Sequence, residues 1–311
     1  LLKKSFNVKL KINNFFIKNK GPYMKFINNM KLLMTIGLLL QAGISLAYNN
    51  DWALQGQSIL NKIDSFSSKS SESNSKLIEA AENNNLKELQ KALNDSKANI
   101  NEISTKSGMT ALMHACRNGR EDMVILLLDK GANPSIQNSW GDNTALREAV
   151  KKGHKKIAEL LINKHKNDTN ARLSMGYSLI EAAKKGDKDM VTLLLDKGAD
   201  PNVAGSPDSG SCYTDSTALL EAASHGHKDI AQLLLDKGAN IDAEDSMTAS
   251  TALILASSQG YKDIVKLLLD KGANFHSKDV YGSTALEIAK SKRYKEIVQL
   301  IHQSIEKAGK V

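Results

Sequence analysis

Disulfides, acid at the amino end and a surplus of either charge in the main body are what this chain lacks. Two cysteines in 311 residues exclude a scaffold held by disulfides. Residues 1–47 carry eight lysines and neither arginine nor acid, and they account for the whole net charge of +8. The remaining 34 basic residues face 34 acidic ones in 48–311, so the main body has no basic footprint for nucleic acid or for an anionic membrane. Long apolar runs are missing too. The stretch 32–40 falls short of the ~20 residues that a membrane-spanning helix needs.

That short stretch follows Met24, Lys25 and Lys31 and precedes small residues at Ser45 and Ala47. A basic start, a brief apolar centre and small residues at its end predict a signal peptide over 24–47, cleaved after Ala47. An uncleaved leader would instead leave a membrane anchor. Residues 1–23 precede both Met24 and Met30 and read as an over-extended start; the Lys/Asn/Ile bias there points to an AT-rich, bacterial genome. Residues 48–74 form a linker, serine-rich over 64–75, with too little apolar area to offset the ordering of its chain.

What is present in abundance is repetition. A phrase of the form x-x-Leu-x-x-Ala, opened by Thr-Ala in five copies and closed by Gly in five, recurs with starts at 75, 110, 144, 177, 217, 251 and 284, the copy at 75 being weaker. The steps of 35, 34, 33, 40, 34 and 33 residues define stacked units, none of which can bury its apolar face alone. In the unit starting at 251, Thr251 is placed to cap a helix and Gly260 to end it. A second helix follows with Ile264, Val265, Leu268 and Leu269 facing inward, stopped by Asp270-Lys271-Gly272. A non-helical stretch then leads to the next unit. Cys116 and Cys212 lie in different units, farther apart than the ~7 Å between Cα atoms that a bridge tolerates, and both are expected to be free.

The phrase Leu-Leu-Leu-Asp-Lys-Gly-Ala-Asn stands at 126–133, 233–240 and 267–274, with a near copy at 193–200. With the Thr-Ala-Leu starts, it resembles the ankyrin repeat over residues 75–311. The resemblance implies an all-α solenoid of about seven helix-turn-helix units with projecting finger loops, a concave face of fingers and first helices that binds protein, and no catalysis. Departures are clear. Ala replaces the family's Pro at 111, 145, 218, 252 and 285, and its His slot holds Ile78, Met113, Arg147, Ile180, Leu220, Ile254 and Glu287. Apolar packing is expected where the family has a polar network. His165 takes a terminating Gly slot, so the third unit should be the least regular.

No constellation for chemistry survives inspection. His225 and His227 are the nearest histidine pair, but no Cys or carboxylate cluster stands at ligand spacing, and a solvated turn explains them. His114 and Cys116 are two apart and point in different directions on a helix. The Lys of each Asp-Lys pair at 129, 196, 236 and 270 suits a helix carboxyl end. No catalytic, metal or cofactor site is expected, and no small-molecule substrate.

Counting from the terminating glycine places Trp140, Met247 and Tyr281 at one equivalent fingertip position. The finger from Gly198 to Thr217 is longer than its neighbours and carries Tyr213. Insertions of this kind map to loops, often on a binding face. Either these side chains anchor a partner or each packs on the adjoining finger. The expectation is an exported protein, periplasmic or secreted, that binds another protein through Trp140, Tyr213, Met247 and Tyr281. A stabiliser of a resident envelope protein is the alternative, and an enzyme with an unrecognised site the third reading.

Overall fold

Capping chemistry sets the architecture. The computed structural model describes residues 72–95, 98–141, 143–164, 169–205 and 215–308. The expected leader, most of the linker, His165 and the Cys212–Tyr213 segment lie outside the described residues. The chain divides into two units, 1–65 and 66–311, and the second holds everything described.

Seven helix pairs follow one another: α1 (72–82) with α2 (Leu86–Leu93), α3 (Ala111–Arg117) with α4 (Glu121–Asp129), and α5 (Ala145–Lys151) with α6 (Lys155–Lys164). Then come α7 (Thr169–Lys185) with α8 (Lys188–Asp196), α9 (Ala218–Ser224) with α10 (Lys228–Asp236), α11 (Ala252–Gln259) with α12 (Lys262–Asp270), and α13 (Ala285–Ser291) with α14 (Lys295–Ala308). No described helix is long and apolar enough to cross a membrane.

Thr110, Thr144, Thr217, Thr251 and Thr284 each accept a hydrogen bond on Oγ1 from the backbone N–H three residues on. That satisfies a donor the first helical turn leaves orphaned. At Thr284 the Glu287 carboxylate completes a capping box by accepting from the Thr284 N–H at 2.7 Å. Second helices end on Gly131, Gly198, Gly238 and Gly272, all with φ of 87–90°. The next alanine in each case donates back to a carbonyl in the last turn at 2.9 Å, as Ala199 does to Leu194. Inside, one continuous core runs along the array through residues such as Leu112, Leu179, Leu194, Leu219 and Leu268. In α12 it is Leu267 that is buried with Ile264, Val265 and Leu268, while Leu269 sits at the margin. First helices pack more closely on one another than second helices do, which bends the row with the first helices on its inner side.

Units are held to their neighbours by a wedge at the inter-helix turn. His154 lies against Gly119 and donates from Nε2 to the Arg117 carbonyl at 3.2 Å. His227 repeats this on Gly186 and the Lys184 carbonyl at 3.1 Å. Tyr261 and Tyr294 lie on Gly226 and Gly260, and Arg120 reaches the Asn84 carbonyl at 2.8 Å. These rings are therefore packing elements, and His227 is not the solvated turn residue expected of it. Asn84 and Arg293 stand in the terminating slot at φ of 58° and 63°, as their alignment with the glycines requires.

The Asp-Lys pairs also do more than suit a helix end. Lys237 reaches back to Asp196 at 3.0 Å and Lys271 to Asp236 at 2.8 Å, and Lys164 pairs with Asp129 at 3.2 Å. These exposed pairs run from unit to unit, and each is worth little by itself.

One junction breaks the pattern. Only residues 165–168 separate the described helices of the third and fourth units. The first helix of the fourth unit starts at Thr169, not near 177, and runs for 17 residues. No capping threonine starts a helix at 177: the chain has Tyr177 there, and Ala171, Arg172, Leu173 and Met175 before it favour helix. The wedge is absent at this junction as well. Asp187 takes its position and caps α8 by accepting from the Met190 N–H at 3.0 Å, so nothing lies over Gly153. At the amino end, the described helix α1 already includes residue 72, three residues before the expected boundary, with Asn74 buried and accepting from the Asn99 N–H at 2.6 Å.

Candidate binding surface

Three of the described fingertips are closed by a polar side chain, and in each the next large residue points outward. Asp279 Oδ1 accepts from the N–H groups of Tyr281 and Ser283 at 3.0 and 2.8 Å. Asp245 accepts from the N–H groups of Met247, Thr248 and Ser250 at 2.7–3.0 Å, and also from the Thr248 hydroxyl. Asn138 accepts from the Asn143 N–H at 3.3 Å. Such Asx turns replace the backbone partner that a strand would supply. Left without a facing layer, Trp140 is 68% exposed, Met247 51% and Tyr281 84%.

Adjacent tips are joined edge to edge. Ser139 N–H donates to the Gly108 carbonyl at 2.9 Å, and Val280 N–H to Thr248 at 2.9 Å. Fingers are also tied at the root, where Asn133, Asn240 and Asn274 donate from N–H to Asn101, Asn202 and Asp242 at 2.7–2.9 Å. The structure thus brings Met247 and Tyr281 together on neighbouring tips. Val280, 57% exposed, adds to that patch and escaped the sequence reading, although its place beside Tyr281 on the same tip was a signal. Trp140 stands on the finger between the second and third units, with its ring edge against Gly108. It both packs on the adjoining tip and stays mostly in solvent. Tyr213 lies outside the described residues.

Burial pushes the Asp245 carboxyl up, but hydrogen bonds from the Thr248 hydroxyl and from the N–H groups of Thr248, Ser250 and Met247 outweigh it. The group ends below its ordinary value. A carboxyl held low in the folded state stabilises above its unfolded pKa, ~3.9, and that contribution is lost as pH falls through the folded value. Acidification below about pH 4 is therefore expected to open this tip. Amide shifts of Met247, Thr248 and Ser250 in an NMR titration would move together, and Asp245→Asn would abolish the coordinated movement.

On the first helices, Glu148 is buried and accepts from Arg117 of the preceding unit, Nε at 2.7 Å and Nη2 at 3.2 Å, and from Asn143 Nδ2. Glu181 pairs with Lys185 at 3.5 Å, and Glu221 approaches His225 at 3.6 Å. Five of the seven residues in the family's His slot, Ile78, Met113, Ile180, Leu220 and Ile254, are buried apolar side chains as expected; Arg147 is buried as well, while Glu287 serves the capping box.

The rings of His225 and His227 stack with centroids 6.3 Å apart. His225 Nδ1 is engaged by the Ser224 hydroxyl at 2.9 Å and the Glu221 carbonyl at 3.0 Å. Among the described residues no group of three or more His, Cys, Asp or Glu is arranged to hold a metal. Cys116 is fully buried, which raises its thiol well above the ordinary value and keeps it protonated. His114 bonds the Ser107 hydroxyl at 2.9 Å, and burial lowers its pKa.

The family model described as "Ankyrin repeats (3 copies)" matches overlapping stretches that together run from residue 45 to 309. The chain belongs to the ankyrin-repeat family. Its fold is similar to the crystal structure of the ankyrin repeat domain of Bcl-3, described as a unique member of the IkappaB protein family. The match has a TM-score of 0.59 and 25% identity and covers 73% of this chain and 97% of that one. No curated protein matches the sequence. Ankyrin repeats generally mediate protein–protein interaction and are typically non-enzymatic scaffolds, which fits a row of fingers with large side chains at their tips.

Proposed function

We propose that this ankyrin-repeat protein is exported and non-enzymatic, and that it binds another protein through its fingertips and first helices. One observation carries the reading: Trp140, Met247 and Tyr281, three equivalent positions on three fingers, hold large side chains that the fold leaves in solvent. Aromatic residues at exposed, rigidly held positions are the usual anchors of protein interfaces. The basic, briefly apolar stretch at 24–47 supports export. A partner resident in the envelope would place the chain in a periplasmic fraction; a host partner would place it in medium or host lysate.

Replacing Trp140, Tyr213, Met247 and Tyr281 together by Ala is expected to weaken capture of the partner by roughly tenfold or more. Helical circular dichroism should stay unchanged. A collapse of the helical signal would show that these are packing residues and would remove the basis for the surface.

A further inference from the structure

Charge is uneven over a main body that is neutral as a whole. The last three finger stretches, 200–216, 240–250 and 274–283, hold seven acidic residues and one base, Lys278. Exposed carboxylates on the second helices face a lysine, as Asp229 faces Lys188 at 3.1 Å and Glu296 faces Lys262 at 2.9 Å. The fingertips differ. Exposed Asp215 and Glu244 and half-buried Asp245 and Asp279 form no ion pair among the described residues. Lys278 lies within Coulombic reach of Glu287, a further acid, so it does not offset the four. These carboxylates surround one apolar patch. Asp245 and Asp279 accept from the N–H groups of Met247 and Tyr281 themselves, at 3.0 Å each. Glu244 precedes Asp245, and the Asp215 N–H donates to Ser246 Oγ on the Met247 tip at 2.9 Å. Bonds from neutral N–H groups leave the charge in place. Residues 206–214, which lead to Asp215, add Asp208 and no base.

We propose that the patch of Met247, Val280 and Tyr281 docks a basic segment of the partner protein. Apolar side chains of that segment meet the patch, and its arginine or lysine side chains meet the carboxylates around it. Like charges brought together across an interface cost several kcal/mol, so a surplus of acid at an exposed apolar patch selects a partner of opposite sign. The exposed Tyr281 ring adds a surface for a guanidinium, which stacks on aromatic faces. This inference rests on the fingertip reading and gives the partner a chemistry.

A capped peptide alternating arginine and leucine is the probe, titrated into the full chain with the Met247 methyl resonance as reporter. It is expected to shift that resonance saturably, with a dissociation constant below about 100 μM at about 50 mM salt. Raising the salt to about 300 mM should weaken it about fivefold or more. Glycine in place of leucine should weaken the peptide by a similar factor, and glutamate in place of arginine should abolish the shift. Asp215 and Glu244 form no side-chain hydrogen bond among the described residues. Asp215→Asn with Glu244→Gln should therefore weaken the peptide about fivefold and leave the unfolding midpoint unchanged. Lys278→Gln removes the opposing charge and should tighten binding. No saturable shift at about 1 mM peptide overturns the proposal, as does equal binding of the glutamate–leucine peptide. Indifference to the loss of both carboxylates overturns it too. Capture of the native partner separates the two readings. If joint alanine replacement at the tips weakens capture and Asp215→Asn with Glu244→Gln does not, the basic segment falls and the fingertip reading stands. If neither weakens it, both fall.

Discussion

Gly186→Ala is expected to destabilise the array by about 2–3 kcal/mol, against about 1–2 kcal/mol for Gly198→Ala. Both glycines have positive φ, 75° and 90°, so both substitutions bring the left-handed penalty of a Cβ. They differ in what the new atom meets. At Gly198 nothing lies within 4 Å, whereas at Gly186 a Cβ would stand 2.5 Å from the His227 ring. The ring must move, and its bond to the Lys184 carbonyl at 3.1 Å goes with it. Adding His227→Ala to Gly186→Ala removes the collision, so the pair should cost less than the sum of the two single changes. Urea unfolding midpoints read all four proteins. Equal costs at 186 and 198 would show that the wedge does not couple the units.

Arg117→Met is the second substitution with a large expected effect, about 2–3 kcal/mol. It strips the buried Glu148 of two charge-assisted hydrogen bonds and leaves a carboxylate facing a single amide, Asn143. The figure lies below that for a fully enclosed pair because the guanidinium is half in water. Glu148→Gln on the Arg117→Met background should recover half of the loss or more, since it removes the uncompensated charge. Lys271→Met, which breaks the exposed pair with Asp236, is expected to leave the midpoint unchanged. A double-mutant cycle over Arg117 and Glu148 measures the coupling directly, and a coupling near zero would remove this tie between the second and third units.

The helix pairs were legible because their punctuation is chemical. Thr251 and Gly260 can be assigned from residue type alone, since a hydroxyl answers an orphan N–H and only glycine enters the left-handed region without strain. The tip residues Trp140, Met247 and Tyr281 were legible for a related reason: equal distance from a terminating glycine puts them on one structural position, and exposure followed. The third junction was legible only in part: His165 marked the third unit as the least regular, but counting a period assumes that each step has the same content. The step from 144 to 177 keeps its length of 33 residues while its finger becomes two turns of helix. His165 together with Tyr177 and the wholly polar run 165–170 is the fuller signal. The wedges of His154, His227, Tyr261 and Tyr294 were hidden differently. They pack on a residue 34–41 positions earlier, a relation that no local window contains.

A photo-reactive phenylalanine analogue, placed singly at 125, 140, 247 and 281 of the full chain in its own host, tests the display surface most directly. Ile125 lies exposed on a second helix, away from the fingers, and serves as the contrast. Irradiation should join the same partner protein to the chain from 140, 247 and 281 and leave 125 unlinked. Adducts from 125 alone, or none from any fingertip, would contradict the assignment of binding to the fingers.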